Sequence, residues 1–235
     1  GILYIFGVVS LGVYGLMIGG WASNNKFSLL GAIRAASQNI SYELAMGLSL
    51  IAVLMLSGSL SLKVIAEQQT GFNWNIWYQP LGFLIFLICA FAETNRTPFD
   101  LPESEAELIG GYHTEYSSMK LGMYLFAEYI NIFVVSAVMA TLYFGAYNFP
   151  FMENLRNAFD DPVLGNNVVT IIGVGVMFAK IFAFIFFFMW VRWTLPRFRY
   201  DQLMKLGWNI LIPLAILNIL LTGGGILLYE YFTKG

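Results

Sequence analysis

LGFLIFLICAFAETNRTPFDLPESEAELIGG, Leu81–Gly111, changes character abruptly partway along. The run Leu81–Phe91 carries no charge, and five acids then fall between Glu93 and Glu107, in a chain that has only 14 Asp and Glu. The first half reads as a helix in lipid and the second as a polar loop at its end. The composition agrees with that reading. The chain is 58% hydrophobic and 11% charged, with a mean hydropathy of +0.70, whereas soluble domains carry about 25% charged residues. The net charge of −2 offers no basic surface for nucleic acid. Cys89 is the only cysteine and His113 the only histidine. A disulfide needs a second thiol, and iron–sulfur or structural zinc sites need about four Cys or His ligands. No redox centre, catalytic redox residue or metal site is therefore expected within the chain.

Working outward, six apolar runs approach the length of about 20 residues that spans a bilayer. They cover Gly1–Gly20, Ile40–Leu62, Ile76–Ala92, Leu121–Tyr147, Val168–Val191 and Leu206–Tyr229. The third is short and holds Pro80, and the fourth is long. The expected fold is an all-α integral membrane protein with about six transmembrane helices, forming one polytopic domain over residues 1–235. Gly1 opens inside an apolar run without the basic start of a signal peptide, so a longer parent chain is expected.

The connections alternate in charge. Lys26, Arg34, Arg96, Lys120, Arg192, Arg197, Arg199 and Lys205 fall in one set, and Lys63, Arg156 and Lys234 in the other. The positive-inside rule then puts stretches 21–39, 93–120 and 192–205 on the inner side, and the acidic loop lies there too. Trp74, Trp77 and Tyr78 are placed for an outer aromatic belt. Ser104-x-x-Glu107 fits a capping box, which by itself accounts for Glu105 and Glu107 as first-turn acids. It does not account for Glu93, Asp100 or Glu128. Pro196 should break the helix before the basic patch of Arg197 and Arg199.

At a rise of about 1.5 Å per residue, Glu43 sits roughly 5 Å, Glu128 roughly 10 Å and Lys180 roughly 18 Å from the inner edge. Each charge costs at least about 2.5–3.5 kcal/mol in lipid, so all three should face protein or water. Either a structural Glu128–Lys180 ion pair or a water-linked proton relay fits this series, and the difference in depth favours the relay.

The motifs GAIRAASQNISYE (Gly31–Glu43), AETNRTPFDLPESEAELIGGYHTEY (Ala92–Tyr116), LFAEYINI (Leu125–Ile132) and PRFRYDQLM (Pro196–Met204) are spread along the whole chain. Through them the chain resembles the H subunits of bacterial NADH:quinone oxidoreductase, respiratory complex I, called subunit 1 in the mitochondrial enzyme. That family has eight transmembrane helices, so the resemblance implies that these six are its third to eighth. It also implies a bacterial cytoplasmic (inner) membrane, with the mitochondrial inner membrane as the alternative. The implied role is the membrane end of a quinone cavity coupled to a path of buried carboxylates. The partners would be peripheral-arm subunits, which hold the flavin and iron–sulfur clusters, antiporter-like membrane-arm subunits, and lipids. Quinone is the implied substrate. Matched by position, the proton pathway would comprise Glu43, Glu93, Asp100, Glu103, Glu105, Glu107, Glu128 and Lys180. The quinone cavity would involve Arg34, Arg96, Asp100, Arg197 and Arg199. Three other readings compete: the homologous core subunit of a membrane-bound hydrogenase or ferredoxin-linked complex, a stand-alone proton or sodium transporter, and a purely structural anchor.

Overall fold

The computed structural model describes residues 1–100, 111–157 and 162–234, and all regular structure among them is helical. Helix α1 covers Ile2–Ala22 and α2 covers Lys26–Ser57. Two short helices follow at the far end, α3 (Leu62–Gln68) and α4 (Asn75–Tyr78). Helix α5 (Pro80–Glu93) returns, and a short 3-10 turn, Gly111–His113, leads toward α6 (Ser118–Phe144). Then come α7 (Met152–Asn157), α8 (Pro162–Thr194) and α9 (Tyr200–Lys205). A π turn, Leu206–Leu211, joins α9 to α10 (Ile212–Lys234).

Among the described residues, five helical stretches are long and apolar enough to cross a membrane: Ile2–Ala22, Lys26–Ser57, Ser118–Phe144, Val163–Thr194 and Tyr200–Thr233. The remaining run, the third, Ile76–Ala92, is mostly the 14-residue α5. At about 1.5 Å per residue it is roughly 21 Å long, short of a hydrocarbon core of about 30 Å. Proline at its first turn suits a helix start, because that N–H needs no intrahelical partner. Glycine ends two of the long helices: Gly58 (φ +64°) closes α2 and Gly145 (φ +69°) closes α6, both left-handed. Helix α8 stops at Thr194, two residues before Pro196, as expected.

The stretch 21–39, expected as an inner loop, is mostly helix. Only residues 23–25 turn, and the Asn25 side chain accepts a hydrogen bond from the Phe27 N–H at 3.0 Å to start α2. The 32-residue α2 is therefore about 48 Å long and extends well past the hydrocarbon. Its first half escaped the hydropathy reading because the buried face is made of small and polar groups: Ser28, Gly31, Ala32, Ala35, Ala36 and Asn39. These recur at helical spacing without being strongly apolar. In lipid, small residues let backbones approach closely, and dispersion there replaces the missing hydrophobic drive between helices.

Helix α2 is the spine. It packs against α1, α5, α10 and the 3-10 turn. Its outer half contributes Tyr42, Met46, Leu50 and Val53 to a core shared with Ile85 and Phe86 of α5 and with Met139 and Tyr143 of α6. Large apolar side chains on the outside, such as Trp21, Ile171, Phe186 and Leu220, face outward where lipid would be. At the inner end α2 meets its neighbours through glycine. A Cβ on Gly31 would stand 2.9 Å from the Tyr112 backbone nitrogen, and one on Gly20 of α1 would stand 2.3 Å from the Ala32 Cβ.

Gly47, on the same helix, has open space around it. Gly31→Ala should therefore lower the thermal midpoint of the purified protein in detergent, by an overpacking cost of about 1–3 kcal/mol. Gly47→Ala should leave the midpoint unchanged or raise it, since alanine is worth about 1 kcal/mol over glycine within a helix. Equal behaviour of the two variants would contradict this packing.

Candidate functional site

The inner ends of α1, α2, α5 and α6 enclose the buried charges. After α5 ends at Glu93, the chain does not emerge into water. Thr94, Asn95, Arg96, Phe99 and Asp100 are all buried. Gln38 of α2 holds this segment in place: its Nε2 donates to the carbonyls of Ala92 and Phe99, both at 2.9 Å. The Phe198 N–H donates to the Pro98 carbonyl at 3.1 Å, which ties the segment to the residues between α8 and α9.

Arg96, only 8% exposed, forms an ion pair with Glu128 of α6, Nη2 to Oε2 at 3.3 Å. Its guanidinium also lies over the Tyr129 ring, 4.8 Å from the centroid. The Tyr112 hydroxyl donates to the other Glu128 oxygen at 2.6 Å. Tyr112 is fixed in turn by Ser28, whose hydroxyl donates to the Tyr112 carbonyl at 2.7 Å, and by its seat on Gly31. A buried charge needs a counter-charge and further hydrogen bonds to be tolerated, and Glu128 has both.

Toward the inner surface, Arg197 pairs with Asp100, Nη2 to Oδ2 at 3.0 Å. The Arg197 side chain is about half exposed while Asp100 is buried, so this pair links solvent to the interior. Toward the membrane centre, Glu93 is 3% exposed, and its Oε2 has no hydrogen-bond partner among the described residues. It lines a cavity of about 480 Å³ together with Asn39, Tyr112 and Glu128, under apolar walls that include Val9 and Leu16 of α1. One turn beyond Asn39 on α2, Glu43 accepts a hydrogen bond from Ser10 of α1. The arrangement is a file of ionisable groups of which Glu93 and Glu128 reach a mainly apolar cavity with a polar floor. Its volume is in the range of small-molecule sites.

Of the residues expected at a site, Glu43, Glu93, Arg96, Asp100, Glu128 and Arg197 meet here. Arg34 stands at the inner end of α2 beside the Tyr200 ring, 6.0 Å from its centroid. Arg199 points outward and pairs with the exposed Asp201 at 3.4 Å. Glu103, Glu105 and Glu107 lie outside the described residues, as does the expected capping box. Lys180, expected as the deepest member of the series with Glu43 and Glu128 and as the alternative ion-pair partner of Glu128, does not join the file. Its ammonium binds carbonyls at the outer end of α6, where Phe144 lies sixteen residues, or about 24 Å, beyond Glu128. Depth along the helix axis does not say toward which end a long side chain turns. Tyr112, Gln38, Asn39 and Ser10 were not anticipated as site residues. The available signal was a polar side chain within or beside an apolar run, as at Ser10, Gln38 and Asn39; Tyr112 gave none. Among the described residues, no three His, Cys, Asp or Glu side chains are grouped to hold a metal ion.

Fold and charges together define a class: a multi-pass helical membrane protein with a buried ionisable network at one end. Residues 1–223 match the model of the family described as NADH dehydrogenase. The chain belongs to that family. It is 66% identical over 97% of its length to the H subunit of the NADH-quinone oxidoreductase of Flavobacterium johnsoniae, and 69% identical over 97% to an H subunit of the same enzyme of Cytophaga hutchinsonii. It is also 49% identical over 98% of its length to the NADH-quinone oxidoreductase subunit 8 of Rhodothermus marinus. The chain spans 64%, 65% and 68% of the lengths of these three relatives.

Removing Arg96 alone takes the guanidinium away from a carboxylate whose side chain is only 12% exposed. Arg96→Leu should destabilise the protein by about 3–5 kcal/mol. The double variant Arg96→Leu/Glu128→Leu should recover much of that loss. A double-mutant cycle on thermal midpoints measures the coupling, and strict additivity would show that the pair is not coupled.

Proposed function

We propose that this chain is the membrane-arm subunit of a proton-pumping NADH:quinone oxidoreductase that forms the membrane end of the quinone cavity. In this reading it also links quinone reduction to a proton pathway of buried carboxylates. The observation that carries the reading is the succession of two charge pairs on one short buried segment, the half-exposed Arg197 with Asp100 and Arg96 with Glu128, the latter reaching the cavity that Glu93 lines. The names of the relatives, NADH-quinone oxidoreductase, favour the quinone branch over a hydrogenase or ferredoxin-linked complex.

Electrons come from NADH through flavin and iron–sulfur clusters held by the peripheral-arm partner subunits. Reducing a quinone to a quinol takes two electrons and two protons. Arg96, Arg197 and Arg34 give the cavity end its positive field, with Asp100 as the acid nearest the inner surface, while Arg199 adds positive charge only at the exposed surface beside it. Negative charge developing on the quinone alters the electrostatic balance of the Arg96–Glu128 pair. Glu93 and Glu43 carry the protonation change inward, and the loop acids Glu103, Glu105 and Glu107 belong to the same path. Only a differential interaction with the two charge states is needed for this coupling. The partners beyond the peripheral arm are antiporter-like membrane-arm subunits and lipids of a bacterial inner membrane.

Asp100→Asn keeps the shape of the side chain and removes its charge beside Arg197. In membranes carrying the full-length assembled complex, quinone-linked NADH oxidation should fall by roughly tenfold or more, equivalent to at least about 1.4 kcal/mol in the barrier. NADH oxidation with an artificial acceptor that takes electrons upstream should stay at the wild-type rate. If both activities are unchanged and the complex assembles normally, a purely structural role for this acid is the better account.

A further inference from the structure

Lys180 has a chemistry of its own, away from Glu93, Asp100 and Glu128 and at the end of the bundle where Glu67 shares a cleft with Tyr147 and Asn148. It projects from the interior of α8 to the end of α6 and the turn after it. There its Nζ donates to three backbone carbonyls: Phe144 at 2.7 Å, Ala146 at 2.9 Å and Asn148 at 2.7 Å. An ammonium has three N–H donors, so its hydrogen-bonding capacity is filled. The indole of Trp74 lies 5.3 Å away, close enough for a cation–π contact. Among the described residues no carboxylate pairs with it.

The carbonyls converge because the chain folds them inward. Gly145 (φ +69°) and Ala146 (φ +48°) are both left-handed, and the Ala146 N–H returns to the Ala140 carbonyl at 3.0 Å. Buried Asn148 is anchored by its own amide, which donates to the Ala66 carbonyl at 2.6 Å. Gln69 caps the Thr141 and Leu142 carbonyls at 3.0 and 3.2 Å, and Asn75 reaches Leu142 at 2.8 Å. The last turn of α6 is thus satisfied by uncharged amides except at the mouth, where the carbonyls meet a cation. That mouth is the negative end of the helix dipole.

We propose that Lys180 is a tethered cation filling a carbonyl cage at the outer end of α6, and that the cage itself is a site for a potassium-sized monovalent cation. Backbone carbonyls can stand in for the hydration shell of such an ion, and ammonium and potassium are close in size. In this role Lys180 is a positioning residue. It fastens α6 to α8, and with it the helix that carries Glu128. It is not a proton carrier, because a neutral amine would leave one of the three carbonyls without its donor.

The test replaces the tether and offers the free ion. Lys180→Met is made in the full-length chain, and thermal unfolding in detergent is followed by alkylation of the buried thiol of Cys89, read by mass spectrometry. In choline chloride the midpoint should fall by about 4 °C or more relative to wild type. Potassium chloride at the same ionic strength should restore part of that loss in the variant and leave wild type unchanged. A variant as stable as wild type in choline would overturn the proposal. So would a loss that neither potassium, sodium nor ammonium reverses. If the variant fails to accumulate, acetylation of wild-type amines decides the matter. Lys63, with its side chain 78% exposed, should react while Lys180 stays unmodified, and comparable labelling of the two would overturn the proposal.

Discussion

A guanidinium and a carboxylate buried together in a membrane protein constrain everything around them. The Arg96 side chain is 9% exposed and that of Glu128 12%, so most of what surrounds each charge must be protein. Glu128 takes a hydroxyl from Tyr112, and Arg96 takes the face of Tyr129. Tyr112 reaches its place only because the 3-10 turn lies directly on Gly31. Arg96 reaches its place only because the segment after α5 is drawn inward by Gln38. The pair therefore dictates the close contact of α2 with the turn, the burial of residues 94–100 and the placement of α6. A stretch that reads as the start of a surface loop is thus an interior feature.

The spine helix reconciles two demands. Its outer half packs large side chains, Tyr42, Met46 and Leu50, in an ordinary apolar core. Its inner half presents small and polar residues so that polar backbone from other segments can approach. Dense packing there leaves little room for compensation, because a methyl group on Gly31 would meet backbone rather than a flexible side chain. Polar groups on this half, Ser28, Gln38 and Asn39, serve as anchors or line the cavity.

Cations are used differently at the two ends. At the inner end Arg96 and Arg197 pair with carboxylates, so their partners can change charge. At the outer end Lys180 pairs with carbonyls, which cannot. The first arrangement suits a site that responds to a charged reactant, and the second suits a fixed joint. The helix carrying Glu128 is held at both ends, by Arg96 near one and by Lys180 at the other.

The all-helical membrane fold was legible in the sequence because insertion into lipid is a bulk property. An uncharged run such as Leu81–Phe91 must hydrogen-bond its own backbone there, and only a helix does so within one segment. The break before Pro196 and the short third run could be read for the same reason, since each is local and additive along the chain. The tertiary structure alone decided which charges meet. Lys180 turned toward carbonyls rather than toward Glu128, Arg199 turned outward, and the weakly apolar stretch 26–39 became helix because small residues at helical spacing found backbones to pack against. Such outcomes depend on side-chain direction and on the shape of a neighbour distant in sequence, and neither periodicity nor hydropathy encodes either one.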